Sequence, residues 1–121
     1  ADLHYRGSIT LDPALLAAVD IWPYERVHVL NLDNGARVET YVIVGRRGSG
    51  MVQINGAAAR LFARHDRVIV IAYADVEAAE LKTFRTRVAF VDAKNRLVRV
   101  KEDRVRPIAA APRRAPRRPR R

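Results

Sequence analysis

A mainly-β barrel with short helices in its connections is the fold class this sequence predicts, and two features carry that expectation. Brief runs rich in β-branched residues recur along the body of the chain, and every helical signal between them is short. The 121 residues fit one domain of ordinary size, with no room for a second globular unit.

Taken in order, the first element is helical. Asp12 is an N-cap residue with Pro13 at the first helical position, and Leu15, Leu16 and Val19 make an apolar face that stops before Trp22-Pro23. Residues 26–32 and 38–44 then carry β-branched residues at alternate positions on either side of Asp33-Asn34-Gly35, a turn of the Asn-Gly type, and read as a hairpin. Residues 57–61 predict a short helix. Residues 68–73 are a continuous apolar run, as in a strand buried on both faces. Asp75 is the expected cap of a small helix over 77–81, and residues 88–91 and 97–100 flank a turn at Ala93-Lys94-Asn95.

Composition narrows the chemistry. No cysteine is present, which removes disulfides, thiolate metal sites and cysteine nucleophiles and agrees with a reducing cytoplasm. His4, His28 and His65 lie far apart and form no H-E-x-x-H pattern, so no metal is inferred. The longest apolar run, residues 68–74, is far below the ~20 residues of a spanning helix, and no secretory signal precedes it, so no membrane partner is expected. Net charge is +10, yet eight arginines and no acids follow Asp103, which leaves residues 1–103 at +2. Residues 104–121 mix Arg, Ala and the four prolines Pro107, Pro112, Pro116 and Pro119 without apolar periodicity, and read as a disordered basic tail behind a domain of residues 1–103.

Tyr5-Arg6-Gly7-Ser8 on its own is an ordinary turn. Its setting is more specific: residues 1–12, reading Ala-Asp-Leu-His-Tyr-Arg-Gly-Ser-Ile-Thr-Leu-Asp, are followed by Asn34-Gly35-Ala36-Arg37, Thr40-Tyr41, Arg47-Gly48-Ser49 and Asn55-Gly56-Ala57-Ala58-Ala59. In order and spacing these patterns resemble the bacterial, self-processing, pyruvoyl-dependent aspartate 1-decarboxylase family, through about residue 95. The resemblance implies a double-psi β-barrel, a cytoplasmic homotetramer with active sites between subunits, and formation of β-alanine and CO2 from L-aspartate for pantothenate synthesis.

The residues suit that chemistry. Decarboxylating an amino acid leaves an electron pair on the α-carbon that no ordinary side chain accepts, whereas a ketone joined to the substrate amine as a Schiff base does. The resemblance makes Ser8 the source of that ketone: its Oγ attacks the Gly7 carbonyl, and the resulting ester eliminates and hydrolyses to a pyruvoyl group. Glycine before the serine admits strained backbone and close approach. By the same resemblance Thr40 polarises the Gly7 carbonyl and later touches substrate, and Tyr41, whose phenol keeps its proton at neutral pH, returns a proton after CO2 leaves. Arg37 corresponds to the binder of a substrate carboxylate, a role suited to its fork of donors, although an arginine after a turn is ordinarily solvated. Backbone N–H groups at Asn55, Gly56, Ala57 and Ala58 are candidates for the other carboxylate or an oxyanion, and Tyr5 is a candidate lining residue.

Adjacent residues of a strand face opposite ways, so Thr40 and Tyr41 both serve active sites only at a subunit boundary or in an irregular strand, which favours an oligomer. The sequence departs from the family at both ends. Family members carry a further N-terminal strand with a substrate-contacting lysine ahead of the residue that is Ala1 here, and the last twenty or so residues leave the family pattern. Two other functions compete: a small nucleic-acid-binding barrel, because the tail is arginine-rich, and an unprocessed homologue without activity. The near-balanced charge of the body and the lack of aromatics in the tail count against the first.

Overall fold

A computed structural model describes residues 7–108. Seven strands, one α-helix and two 3-10 helices follow one another as β1 (Ser8–Leu11), α1 (Pro13–Val19), β2 (Arg26–Asn31), β3 (Arg37–Val44), β4 (Val52–Asn55), a 3-10 helix (Gly56–Leu61), β5 (Val68–Ile71), a second 3-10 helix (Ala78–Glu80), β6 (Arg85–Val91) and β7 (Leu97–Arg104). Five strands form a curled sheet in the order β4-β1-β3-β2-β5, and β6 and β7 form a separate two-stranded ribbon. This is the mainly-β, half-barrel arrangement expected of the double-psi class.

Strand β1 organises the sheet. It pairs in parallel with β3, with Ile9 opposite Val42, and antiparallel with β4, with Ser8 opposite Asn55. A parallel pair needs a crossover, supplied here by α1 and β2. Ile9, Leu11, Val27, Val29 and Val42 point to one side and close a core with Leu16 of α1. The alternation of buried and open positions along β2 and β3 follows directly from the two-residue period of a strand.

Helix α1 begins where its sequence signals place it. The Asp12 side chain accepts from the Ala14 N–H at 2.8 Å with Pro13 inside the first turn, and Asp20 ends the helix in the left-handed region at φ 61°. The β2–β3 hairpin forms around Gly35 at φ +77°, where Asn31 accepts from the Gly35 N–H at 2.8 Å and donates to Ala36 O at 2.8 Å. The turn after β6 is held by Asp92, whose Oδ1 accepts from Lys94 and Arg96 at 2.8 and 3.0 Å.

Several elements differ from the sequence-based expectation. β1 and β4 are absent from it, and β6 and β7 are longer than their apolar segments, because cross-strand pairing carries them into charged residues. The run from Val68 is an edge strand rather than one buried on both faces: Ile69 is 44% exposed and Tyr73 59%. The small helix near 77–81 is one 3-10 turn, with Glu77 rather than Asp75 at its N-cap. Arg104, taken from sequence as the first tail residue, is paired with Arg85 at the end of β7. Residues 109–121 of the expected tail lie outside the described residues. Among the described residues, no helix is long and apolar enough to cross a membrane, and no group of side chains is placed to hold a metal ion.

Candidate active site

The parallel register of β1 with β3, carried two residues back from Ile9 and Val42, brings Thr40 beside Gly7. There the Thr40 hydroxyl donates to the Gly7 carbonyl oxygen at 3.0 Å, in a buried setting. On the other side of β1, the antiparallel register with β4 sets Asn55 opposite Ser8. The Asn55 Nδ2 group donates to Ser8 Oγ and to Thr10 Oγ1, both at 2.9 Å. Ser8 and Thr10 share one face of β1, as the period of a strand requires, so a single amide reaches both. One peptide bond, Gly7–Ser8, is therefore gripped at its carbonyl and at the adjacent nucleophile by residues 33 and 47 positions away.

Glycine is the residue this geometry accepts at position 7. Its φ is +119°, and a Cβ there would collide with the carbonyl oxygen of Asn55. Ser8 is 2% exposed and Thr40 7%, so little water competes for their hydrogen bonds.

Beyond the far end of β1, Asp12 is a second fixed point. Its buried carboxylate accepts from Gly50 N–H at 2.9 Å, Ala14 N–H at 2.8 Å and Gly48 N–H at 3.0 Å. These N–H groups, Gly50 foremost, together with the charge of Arg47, hold the Asp12 carboxyl below its ordinary value against the opposing effect of burial. The clamp ties the loop between β3 and β4 to the residue that follows β1. Asn95 of the β6–β7 turn adds a hydrogen bond to Gly50 O at 3.0 Å.

The opposite face of β3 carries a different set. Arg37, Glu39 and Tyr41 alternate with Val38, Thr40 and Val42. Glu39 pairs with Arg26 at 3.0 Å and lies 4.0 Å from His28. The Tyr41 ring stacks with Tyr24 at 6.4 Å between centroids, and His28 meets the Tyr73 ring edge-on at 5.3 Å. Arg37 is exposed and makes no ion pair among the described residues.

After β4 the chain turns at Gly56, φ +69°, into the 3-10 helix, whose first N–H groups have no acceptor inside the helix. Ala58 is buried and Ala57 exposed, and Ala57 borders an open cleft of about 280 Å³ with Arg60 and Leu61.

Of the candidates named from sequence, the fold brings Gly7, Ser8, Thr40, Asn55 and Gly56 together, with Ala57 and Ala58 next in the chain. Arg37 and Tyr41 share a face of β3 turned away from Thr40, and Tyr5 lies outside the described residues. Sequence reasoning missed the Asn55 side chain and the Asp12 clamp. An asparagine closing a strand is a poor β-former and a signal for a side-chain role. The sequence signal at Asp12 is that of a helix cap alone.

The class of molecule is thus a mainly-β half-barrel carrying a buried Gly-Ser bond with a polarised carbonyl. The aspartate decarboxylase family model matches residues 1–98. Aspartate 1-decarboxylase of Carboxydothermus hydrogenoformans is 52% identical over 105 residues, covering 87% of this chain and 83% of that relative. The aspartate 1-decarboxylase of Pelotomaculum thermopropionicum is 52% identical over 102 residues, covering 84% of this chain and 77% of its own length. The chain belongs to the aspartate decarboxylase family.

Proposed function

We propose that this chain is an aspartate 1-decarboxylase that cleaves itself between Gly7 and Ser8 and turns Ser8 into the pyruvoyl group with which it makes β-alanine and CO2 from L-aspartate. The observation that carries this reading is the hydrogen bond from Thr40 to the Gly7 carbonyl, next to a serine oxygen held by Asn55.

In the first step Ser8 Oγ adds to the Gly7 carbonyl carbon, and charge grows on the oxygen to which Thr40 donates. The C–N bond breaks, the proton from Oγ ends on the Ser8 nitrogen, and an ester remains. Loss of the Ser8 α-proton with cleavage of the Cβ–Oγ bond frees the Gly7 carboxylate and leaves dehydroalanine at position 8. Water then replaces nitrogen, which departs as ammonia. The Asn55 amide fits this route because it orients Oγ while leaving the serine proton free to move.

The ketone so formed supplies an acceptor for the electron pair left as CO2 departs. The remaining work falls to side chains of the chain itself. Arg37 binds one substrate carboxylate, and the N–H groups of Asn55, Gly56, Ala57 and Ala58 bind the other charge, with Thr40 and Tyr5 lining the pocket. Tyr41 returns the proton to the α-carbon. Since Arg37 and Tyr41 face away from Ser8 within one chain, this reading calls for a homotetramer in which the outer face of β3 completes a neighbour's site. The product serves pantothenate synthesis, and the enzyme is placed in the cytoplasm, in keeping with a sequence free of cysteine. The basic segment after Asp103 takes no part in catalysis and is an auxiliary contact for nucleic acid.

The test is direct. Purified protein given L-aspartate should release β-alanine, and borohydride added together with substrate should abolish activity by fixing substrate to the larger fragment. Turnover that survives this treatment, or β-alanine formation by Ser8→Ala, would remove the pyruvoyl reading.

A further inference from the structure

Thr10 sits two residues past the nucleophile, half-buried on the face of β1 that carries Ser8. Its hydroxyl accepts from the Nδ2 group of Asn55 at 2.9 Å, the same group that donates to Ser8 Oγ at 2.9 Å. The two oxygens thus share one nitrogen, each taking one of the amide's two hydrogens. A single bond to Ser8 would leave that amide free to turn about its last side-chain torsion, which has broad minima. The second bond, to an oxygen further along the same strand, sets the plane of the amide and its position over β1. Thr10 is itself fixed. Its methyl lies against Gly45, just past β3, where an added Cβ would stand 3.0 Å from Thr10 Cγ2 and 2.9 Å from Met51 Sδ. A β-branched side chain has few χ1 choices. With the methyl in that gap the hydroxyl stays on the β4 side, within reach of Asn55.

We propose that Thr10 is a positioning residue for self-cleavage: it touches none of the reacting atoms and acts by holding the Asn55 amide where that amide orients Ser8 Oγ. The inference rests on the reading of Gly7–Ser8 as a self-cleaving bond. Thr40 grips the Gly7 carbonyl, and the oxygen that must reach its carbon is held by Asn55. Small displacements of a nucleophile from its line of attack cost much of the rate. A nucleophile held by a partner that is itself loose gains little, and Thr10 removes that slack. Packing alone does not call for the hydroxyl, because valine has the same shape and is a strong strand former. The role ends with the cut, since Oγ leaves with the Gly7 carboxylate and position 8 then has no hydroxyl for Asn55 to hold.

In the experiment each full chain is made in a short cell-free pulse, so that the uncut form is present at the start, and the piece beginning at position 8 is followed by intact mass. Thr10→Val should slow its appearance about 5–10-fold, the usual worth of one neutral hydrogen bond, with the melting temperature unchanged. Thr10→Ser keeps the hydroxyl and should cleave close to the wild-type rate. In an Asn55→Ala background, itself slow, Thr10→Val should add nothing further, because residues acting through one network are not additive. Thr10→Val cutting at the wild-type rate would overturn the inference. So would Thr10→Ser as slow as Thr10→Val, which would trace the effect to packing, or a double variant in which the two losses multiply, which would separate Thr10 from Asn55. A fall in melting temperature that tracks the loss of rate across the variants would reduce Thr10 to a structural residue and overturn it as well. A wild-type chain that is never cut would remove the self-cleavage reading itself and the inference with it, whereas each of the other results strikes Thr10 alone.

Discussion

On the inner face of β3, Thr40 finds its partner in the same chain: its hydroxyl rests on the Gly7 carbonyl, across a strand pairing that also fixes Ile9 against Val42. One residue further on, Tyr41 points outward with Arg37 and Glu39, and its neighbours there are Tyr24 and open surface. The difference separates two tasks. Cutting the Gly7–Ser8 bond, as proposed, is an intramolecular reaction whose donor already rests on the carbonyl and whose nucleophile belongs to the next residue, and proximity of this kind removes much of the entropic barrier. Turnover needs groups that reach a substrate, and the two proposed for it on β3, Arg37 and Tyr41, lie on the other face of that strand.

Variants on the two faces should therefore fail in different ways. The largest effect belongs to Ser8→Ala, which removes the nucleophile and should abolish cleavage completely, seen as a single chain on a denaturing gel after prolonged incubation. Tyr41→Phe should come next: cleavage proceeds as in wild type, while decarboxylation measured as β-alanine release falls by about 10²–10⁴-fold, the usual contribution of a general acid. If both rates fell together, the two faces would not be separate in function. Thr40→Val keeps the shape of the side chain and deletes the donor, so the rate of cleavage should drop by about 10²–10³-fold, as for loss of one oxyanion donor. A time course of fragment appearance measures it, and an unchanged rate would mean that the Gly7 carbonyl needs no help from β3.

The smallest effect concerns Asp12. A carboxyl held below its ordinary value in the folded state contributes stability that is present above the unfolded value, about 3.9, and is lost as pH falls through the folded one. Melting temperature should accordingly decline on acidification below about pH 4, and less steeply in Asp12→Asn. Asp33 and Asp92, whose carboxyls are lowered chiefly by N–H groups of Arg67 and Arg96, keep part of that decline in the variant. Identical slopes would take Asp12 out of the acid response.

Much of this arrangement is legible in the sequence, and the exceptions have physical causes. The N-cap of α1 and the β2–β3 hairpin are readable because Asp12-Pro13 and Asn34-Gly35 are local signals that act through their own backbone. β1 and β4 are four residues each and contain Ser8, Thr10, Gln53 and Asn55. Their strand geometry comes from pairing with one another and with β3, which no short window of sequence records. The same holds at the site. Gly7, Ser8 and Thr40 stand out only through the resemblance to the decarboxylase family, whereas the reach of Asn55 to Ser8 exists only once β4 lies beside β1. The apolar run at Val68 predicts more burial than β5 has for a related reason: hydrophobicity reports that a segment prefers burial, and only the strand order shows that β5 ends the sheet.

The central claim is that the Gly7–Ser8 bond is cut by its own serine, and intact mass of the purified protein tests it most directly. The account predicts two pieces, one ending at Gly7 and one starting at position 8, the larger of them lighter by one ammonia than simple hydrolysis would leave it. One uncleaved mass after prolonged incubation, or two pieces whose masses fit plain hydrolysis, would contradict it.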